Sequence, residues 1–197
     1  MVFGKKSGPI DFLVVGLGNP GKKYEGTRHN AGMMALMKLA EKNNTTVVRK
    51  RFQGVTGEAT ISGKRVLLLF PHTFMNLSGQ AVAEAMKFYK LDCSQLLVFS
   101  DDISLEPGIV RVRRKGSAGG QKGLQNIIDC IDSEEFARIK IGVGAKPHPE
   151  MDLATWVLSR FTVAEKKAVE EAAEKAAEAA ELVIAGNVDE AMNRYSK

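Results

Sequence analysis

A short apolar run, Phe12 to Leu17 (FLVVGL), constrains the fold of this chain more than any other feature. It is too short for a membrane span or a signal-peptide core. Its β-branched residues and glycine break read as a buried strand. Leu96 to Ser100 (LLVFS), ending at Asp101-Asp102, repeats the pattern. Strands that are apolar on both faces need cover on both faces, which is the situation in parallel sheets. Helical patterns to supply that cover lie between them. Ala31 to Lys42 has helical composition, and Ser78 to Lys90 places Val82, Ala85, Met86 and Tyr89 on one apolar side. Leu124 to Ile131 reads as a short helix. Val55 to Ile61 and Arg65 to Phe70 read as strands around a Ser62-Gly63 turn, with Pro71 stopping the second. Gly108 to Arg113 and Arg138 to Val143 alternate, as strands with one wet face do.

Towards the C-terminus, Thr162-Val163-Ala164-Glu165 is a capping box opening an Ala/Glu/Lys-rich helix that Gly186 ends, and Asn187 to Glu190 opens a last short helix by the same logic. The run EKKAVEEAAEKAAEAAE reads as a solvated helix with pairs such as Glu171 and Lys175, and no function is assigned to it. Strands alternating with helices, without repeats or linkers, predict one α/β domain over 1–197: a mixed, mostly parallel central sheet flanked by helices, with residues 1–10 as a flexible N-terminal extension.

Composition narrows the setting. The chain has 197 residues and a formal net charge of +5, a modest basic excess that suits a soluble surface and also permits a phosphate-rich partner. The two cysteines, Cys93 and Cys130, have no CxxC spacing, so a disulfide framework is not expected and a reducing cytoplasm fits. The expectation is a cytoplasmic, unanchored protein.

Gly16-Leu17-Gly18-Asn19-Pro20-Gly21 matches GxGxxG directly after a strand. In a dinucleotide site the third glycine opens a helix facing the pyrophosphate. Here the chain runs on through Lys22 to Arg28 and helical periodicity begins only near Ala31, with no acidic residue ending a second strand about 20 residues further on. A nucleotide site is therefore not expected. Asn19, just after a buried strand, is well sited to face a substrate.

Of the three histidines, His148 lies between prolines and reads as loop surface, and His72 after Pro71 as structural. His29 sits in the loop before the first helix and is the candidate general base, with Asp101 at a strand end as the carboxylate to fix its tautomer. Strand ends gather at one edge of an α/β sheet, so the two can converge. The scattered His and Cys residues have no metal-ligand spacing, and no GxSxG elbow supplies a serine nucleophile, so activated water without metal or cofactor is the economical chemistry.

These residues resemble the bacterial-type peptidyl-tRNA hydrolases. The resemblance rests on Val14 to Gly21, Tyr24, Thr27 to Gly32, Pro71 to Gly79, Asp101, Leu105 to Gly108, Lys115 to Gly120 and Arg138 to Gly144, in order and at family-like spacing. It implies hydrolysis of the ester between peptide and tRNA, with His29 as base, Asp101 as its support and Asn19 distinguishing blocked from free aminoacyl ends. Asn76 with Phe74 and Met75 matches the substrate segment, and Tyr24 a contact to the tRNA end. Peptidyl-tRNA is then the partner, held by its acceptor end; no membrane is involved, and a monomer is expected. Arg111, Arg113, Arg114 and Lys115, with Lys22 and Lys23, are candidate phosphate contacts, while Arg49-Lys50-Arg51 is left unassigned. The chain departs from the family where His-Asn is expected after the Gly-Gly pair: it has Gln121-Lys122, and Lys122 is expected to have moved towards substrate binding. Ser100 also stands where some members have histidine. The competing readings are an RNA-binding protein on the same fold without catalysis, and a nucleotide-dependent oxidoreductase resting on the glycine pattern alone.

Overall fold

A computed structural model describes residues 9–196. The elements are β1 (Phe12–Gly16), α1 (Ala31–Lys42), β2 (Arg49–Arg51), β3 (Gly54–Ile61), β4 (Lys64–Pro71), α2 (Ser78–Tyr89), β5 (Leu96–Asp102), β6 (Val110–Arg113), α3 (Lys122–Ile131), β7 (Ala137–Gly142), α4 (Leu153–Val157), α5 (Val163–Ile184) and α6 (Val188–Tyr195). They form one seven-stranded mixed sheet, ordered β2-β3-β4-β1-β5-β7-β6. The ladders β4–β1, β1–β5 and β5–β7 are parallel, whereas β2, β3 and β6 join antiparallel at the edges.

The all-apolar strands occupy the centre, as burial on both faces requires. Leu13, Val15, Leu67, Leu69, Leu96 and Val98 project to one face and pack under α2 and α3. Phe12, Val14, Leu68, Leu97 and Phe99 project to the other, under α1 and α5. A one-residue slip in register would exchange the two sets, so the alternation fixes which helix covers which face.

Gly16, the first glycine of the nucleotide-like fingerprint, and Gly32 in α1 have packing duties. A Cβ on Gly16 would lie 2.6 Å from the Leu36 Cβ, and one on Gly32 would lie 2.4 Å from the Phe99 carbonyl oxygen. Bare backbone at these points lets α1 press directly onto β1 and β5.

Several expectations need correction. The Ala-rich helix α5 is not merely solvated: Val169, Ala172, Ala173, Ala176, Ala180 and Val183 are buried in the α1-side core. Small side chains on that stripe permit close helix packing. Within the helix the ion pair observed is Lys166–Glu170 at 3.8 Å, and Glu165, Glu174 and Glu181 pair with Arg28, Lys38 and Lys42; Glu171 and Lys175 form none among the described residues. Thr162 and Glu165 do form the capping box, but Asn187 makes no side-chain cap bond to α6. Of the expected N-terminal extension, residues 1–8 lie outside the described residues, while Ile10 is 4% exposed and packs in the α2-side core. No helix among the described residues is long and apolar enough to cross a membrane.

Candidate active site

Helix α1 leaves β1 towards one face of the sheet and α2 leaves β4 towards the other, so a crevice opens at the carboxyl ends of these neighbouring strands. A cavity of about 460 Å³ lies there, lined among others by Asn19, His29, Phe74, Met75, Asn76, Asp101, Gln121 and Lys122. That volume suits a small-molecule-sized group. Residues distant in sequence thus converge as the topology dictates.

His29 occupies a single 3-10 turn, Arg28–Asn30, that leads into α1. Its Nδ1 is 2.9 Å from Asp101 Oδ2, and both side chains are buried. A carboxylate can only accept, so Nδ1 is the donor, which in the neutral ring leaves Nε2 its lone pair. The other carboxylate oxygen, Asp101 Oδ1, accepts a hydrogen bond from Gln121 Nε2 at 3.0 Å.

Arg28 fixes the turn from behind. It is 3% exposed, donates to the Val143 carbonyl (2.8 Å), Ser159 Oγ (3.1 Å) and Glu165 Oε2 (2.9 Å), and stacks 3.7 Å from the Trp156 ring. The guanidinium holds Glu165 below the usual carboxylate range. Through these bonds Arg28 also ties down the segment carrying α4, whose Leu153, Ala154 and Val157 wall the cavity.

Asn19 Oδ1 accepts the Met75 backbone N–H at 2.9 Å, which settles the orientation of its amide and leaves Nδ2 as the group available to the cavity. Asn30, which carried no assigned role, holds the Asn19 backbone reciprocally: Asn19 N donates to Asn30 Oδ1 (2.8 Å) and Asn30 Nδ2 donates to the Asn19 carbonyl (3.0 Å). Asn76 lines the cavity, is exposed, and makes no side-chain hydrogen bond among the described residues.

The expected cations separate in space. Lys122 lines the cavity at the first turn of α3. Arg111 and Arg113 lie on β6 opposite Lys140 and Arg138 of β7, so all four belong to one sheet face. Of these only Lys140 lines the cavity, where its ammonium pairs with Asp102 at 3.1 Å. Burial alone would raise the Asp102 pKa, but bonds from Ser104 and the charge of Lys140 outweigh it and hold it low. Arg114 and Lys115 lie off the cavity and pair with Asp189 (2.6 Å) and Glu135 (3.0 Å). Tyr24 also lies outside the cavity lining, half-buried, with Lys23 Nζ 4.7 Å from its ring centre. Arg138 is structural: buried, with its pKa lowered to about 10 by desolvation, it binds the carbonyls of Gly116, Ser117 and Glu134 and so shapes the loop before α3. His72 stands edge-on to Phe70, with ring centres 5.0 Å apart.

Sequence reasoning assigned no role to Arg28, Asn30, Lys140 or the α4 wall. Arg28 and Asn30 flank His29 in the same motif and could have been found there. The α4 segment offered no strong periodicity, and Lys140 looked like one of several alternating cations.

A family model described as peptidyl-tRNA hydrolase matches residues 13–197. The chain is 50% identical to a peptidyl-tRNA hydrolase of Agathobacter rectalis, over 94% of this chain and 100% of that protein. It is 46% identical to one of Clostridium acetobutylicum, over 94% of this chain and 97% of the relative. It is similar in structure to a crystal structure of peptidyl-tRNA hydrolase from Acinetobacter baumannii, with TM-score 0.88 and 35% identity over 96% of this chain and 99% of that one.

Proposed function

Because the chain belongs to the peptidyl-tRNA hydrolase family and is a hydrolase of peptidyl-tRNA, we propose that His29 is its general base and that Asp101 holds His29 in the working tautomer. The observation that carries this reading is the buried Nδ1–Oδ2 bond of 2.9 Å at a cavity wall. Nε2 removes a proton from water as the water oxygen attacks the ester carbonyl. The carbonyl oxygen becomes an oxyanion, stabilised by the free amide N–H groups of Asn19 or Asn76. One such donor contributes about 10²–10³ in rate. The tetrahedral intermediate expels the ribose oxygen, which takes the proton back from the imidazolium, giving free tRNA and a peptide carboxylic acid that then loses its proton to solvent. Every step uses water and side chains, without a metal or cofactor.

The tRNA acceptor end lies across the cavity rim in this reading. Lys122, Arg111 and Arg113 contact phosphates, which position without reading sequence, while Lys140 is already paired with Asp102. Phe74 and Met75 meet the aminoacyl or peptidyl group, and Tyr24 meets the tRNA end beyond the cavity. Arg114 and Lys115 already face carboxylates and contribute less. The protein acts as a monomer in the cytoplasm. Incubation with N-acetyl-aminoacyl-tRNA, following free tRNA, tests the activity: release at a rate above the no-enzyme control is expected, and binding without release would favour the catalytically silent RNA-binding reading. The intact His29–Asp101 pair counts against that alternative.

Two residues set how substrate is chosen and held. Asn19→Asp keeps an oxygen for the Met75 N–H but turns the cavity-facing amide into an anion. The rate gap between N-acetylated and free aminoacyl-tRNA should narrow, because the anion pairs with the free ammonium. An unchanged gap would move selection away from Asn19. Lys122→Ala should raise KM more than it lowers kcat, and should flatten the salt dependence of tRNA binding by about 0.7–0.9 in log–log slope, the share of one phosphate contact. A fall in kcat alone, with the salt slope unchanged, would assign Lys122 to the chemical step.

A further inference from the structure

We propose that Gln121 is a positioning residue for the reaction, locking the Asp101 carboxylate to the first turn of α3. Its side chain spans two fixed points. Oε1 accepts the Leu124 backbone N–H at 2.7 Å, capping the helix, and Nε2 donates to Asp101 Oδ1 at 3.0 Å. Neither end can be reversed: Leu124 N–H only donates and an ionised carboxylate only accepts. The amide is therefore oriented by the backbone of α3, and it orients Asp101 in turn.

The consequence is a chain of three side chains, His29–Asp101–Gln121, anchored in secondary structure at both ends. One end is the turn opening α1 and the other is the N-terminus of α3. With Oδ2 committed to His29 and Oδ1 to Gln121, the carboxylate cannot rotate about χ2 without breaking a bond at each oxygen. Gln121 also lies 3.3 Å from Met75 Sδ, so the substrate segment packs against the same amide. An amide does not titrate in the working range, so this donor is present at every pH at which His29 can act as base. A histidine in this position would keep a donor only in the tautomer or charge state that aims N–H at Asp101. The Gln121 amide is thus a permanent donor where a histidine would be a titrating one.

The inference rests on reading His29 and Asp101 as the catalytic pair, and its test separates the two ideas. The variants are Gln121→Ser, Gln121→Ala and Gln121→Glu in the full-length chain, assayed on N-acetyl-aminoacyl-tRNA across pH with Tm measured in parallel. Serine is a good N-cap but is too short to cap α3 and reach Asp101 together. Gln121→Ser should therefore keep the wild-type Tm yet lose about tenfold to a hundredfold in kcat, the scale of a misplaced catalytic group, with KM nearly unchanged. Gln121→Ala should lose both Tm and kcat. Gln121→Glu keeps the cap but removes the donor and adds a charge beside Asp101. Its ascending pH limb should move to higher pH, because the added anion stabilises the His29 imidazolium. The other ionisable groups around the cavity, Asp102, Lys140, Lys122 and Asp152, are common to every variant. Near-normal kcat in Gln121→Ser, or losses that track Tm with an unmoved pH limb in Gln121→Glu, would overturn the proposal and leave Gln121 a helix cap. If Asp101→Asn is also fully active, the catalytic pair itself is wrong and the proposal goes with it.

Discussion

His29→Ala is expected to lose hydrolysis of peptidyl-tRNA almost entirely, with kcat down by about 10²–10⁴-fold, the usual contribution of a positioned general base. The fold should survive. Among the described residues the imidazole has one polar partner, Asp101, and that carboxylate keeps its bond to Gln121 when the ring is gone. The vacated space opens onto the existing cavity rather than leaving a sealed void, so the cost of an unfilled core hole is largely avoided. The turn itself is held by Arg28 and Asn30, neither of which bonds to the imidazole. Substrate affinity should be retained because the phosphate-facing cations are untouched. The measurement is single-turnover release of tRNA alongside a binding titration. Turnover within about tenfold of wild type in a folded variant would remove His29 from the chemistry, given the range above.

What the sequence disclosed follows from how local each signal is. α1 has the predicted limits of Ala31–Lys42, and the capping box at Thr162 and Glu165 opens α5, because a cap is decided within one helical turn. The central strands were readable because burial on both faces leaves no polar positions. The burial of the α5 alanines was not readable, since alanine is equally at home in water and in a close helix contact, and only the neighbouring α1 decides. The run Arg111 to Lys115 divides for a related reason: Arg111 and Arg113 share one face of β6, while the loop after the strand carries Arg114 and Lys115 to acidic partners far off in sequence. His29, Asp101 and Asn19 were visible because strand ends in an α/β sheet converge. Gln121 was visible only as a departure from a pattern, because its role lies in two hydrogen bonds that no spacing encodes.

Asp101→Asn should reduce kcat by about 10⁴-fold, as loss of the correct histidine tautomer does in serine-protease triads. Here the structure dictates which way the new amide must turn. Gln121 Nε2 is a donor fixed by the Leu124 N–H, so the amide at 101 must present its oxygen to Gln121. Its NH₂ then faces His29 Nδ1, which must become the acceptor. The ring proton moves to Nε2, and the atom meant to take a proton from water already carries one. The same reasoning gives a reversal. Gln121→Glu lowers activity in the wild-type background, where it faces Asp101 with a second anion. In the Asp101→Asn background it accepts from both Leu124 N–H and the new amide, releasing the amide oxygen to face His29 Nδ1–H. The double variant should therefore be faster than Asp101→Asn alone, recovering about tenfold or more of the tautomer loss. Kinetics of the four members of this cycle supply the coupling directly. A double variant slower than both singles, with losses that simply multiply, would mean that Gln121 does not govern the orientation of the side chain at 101.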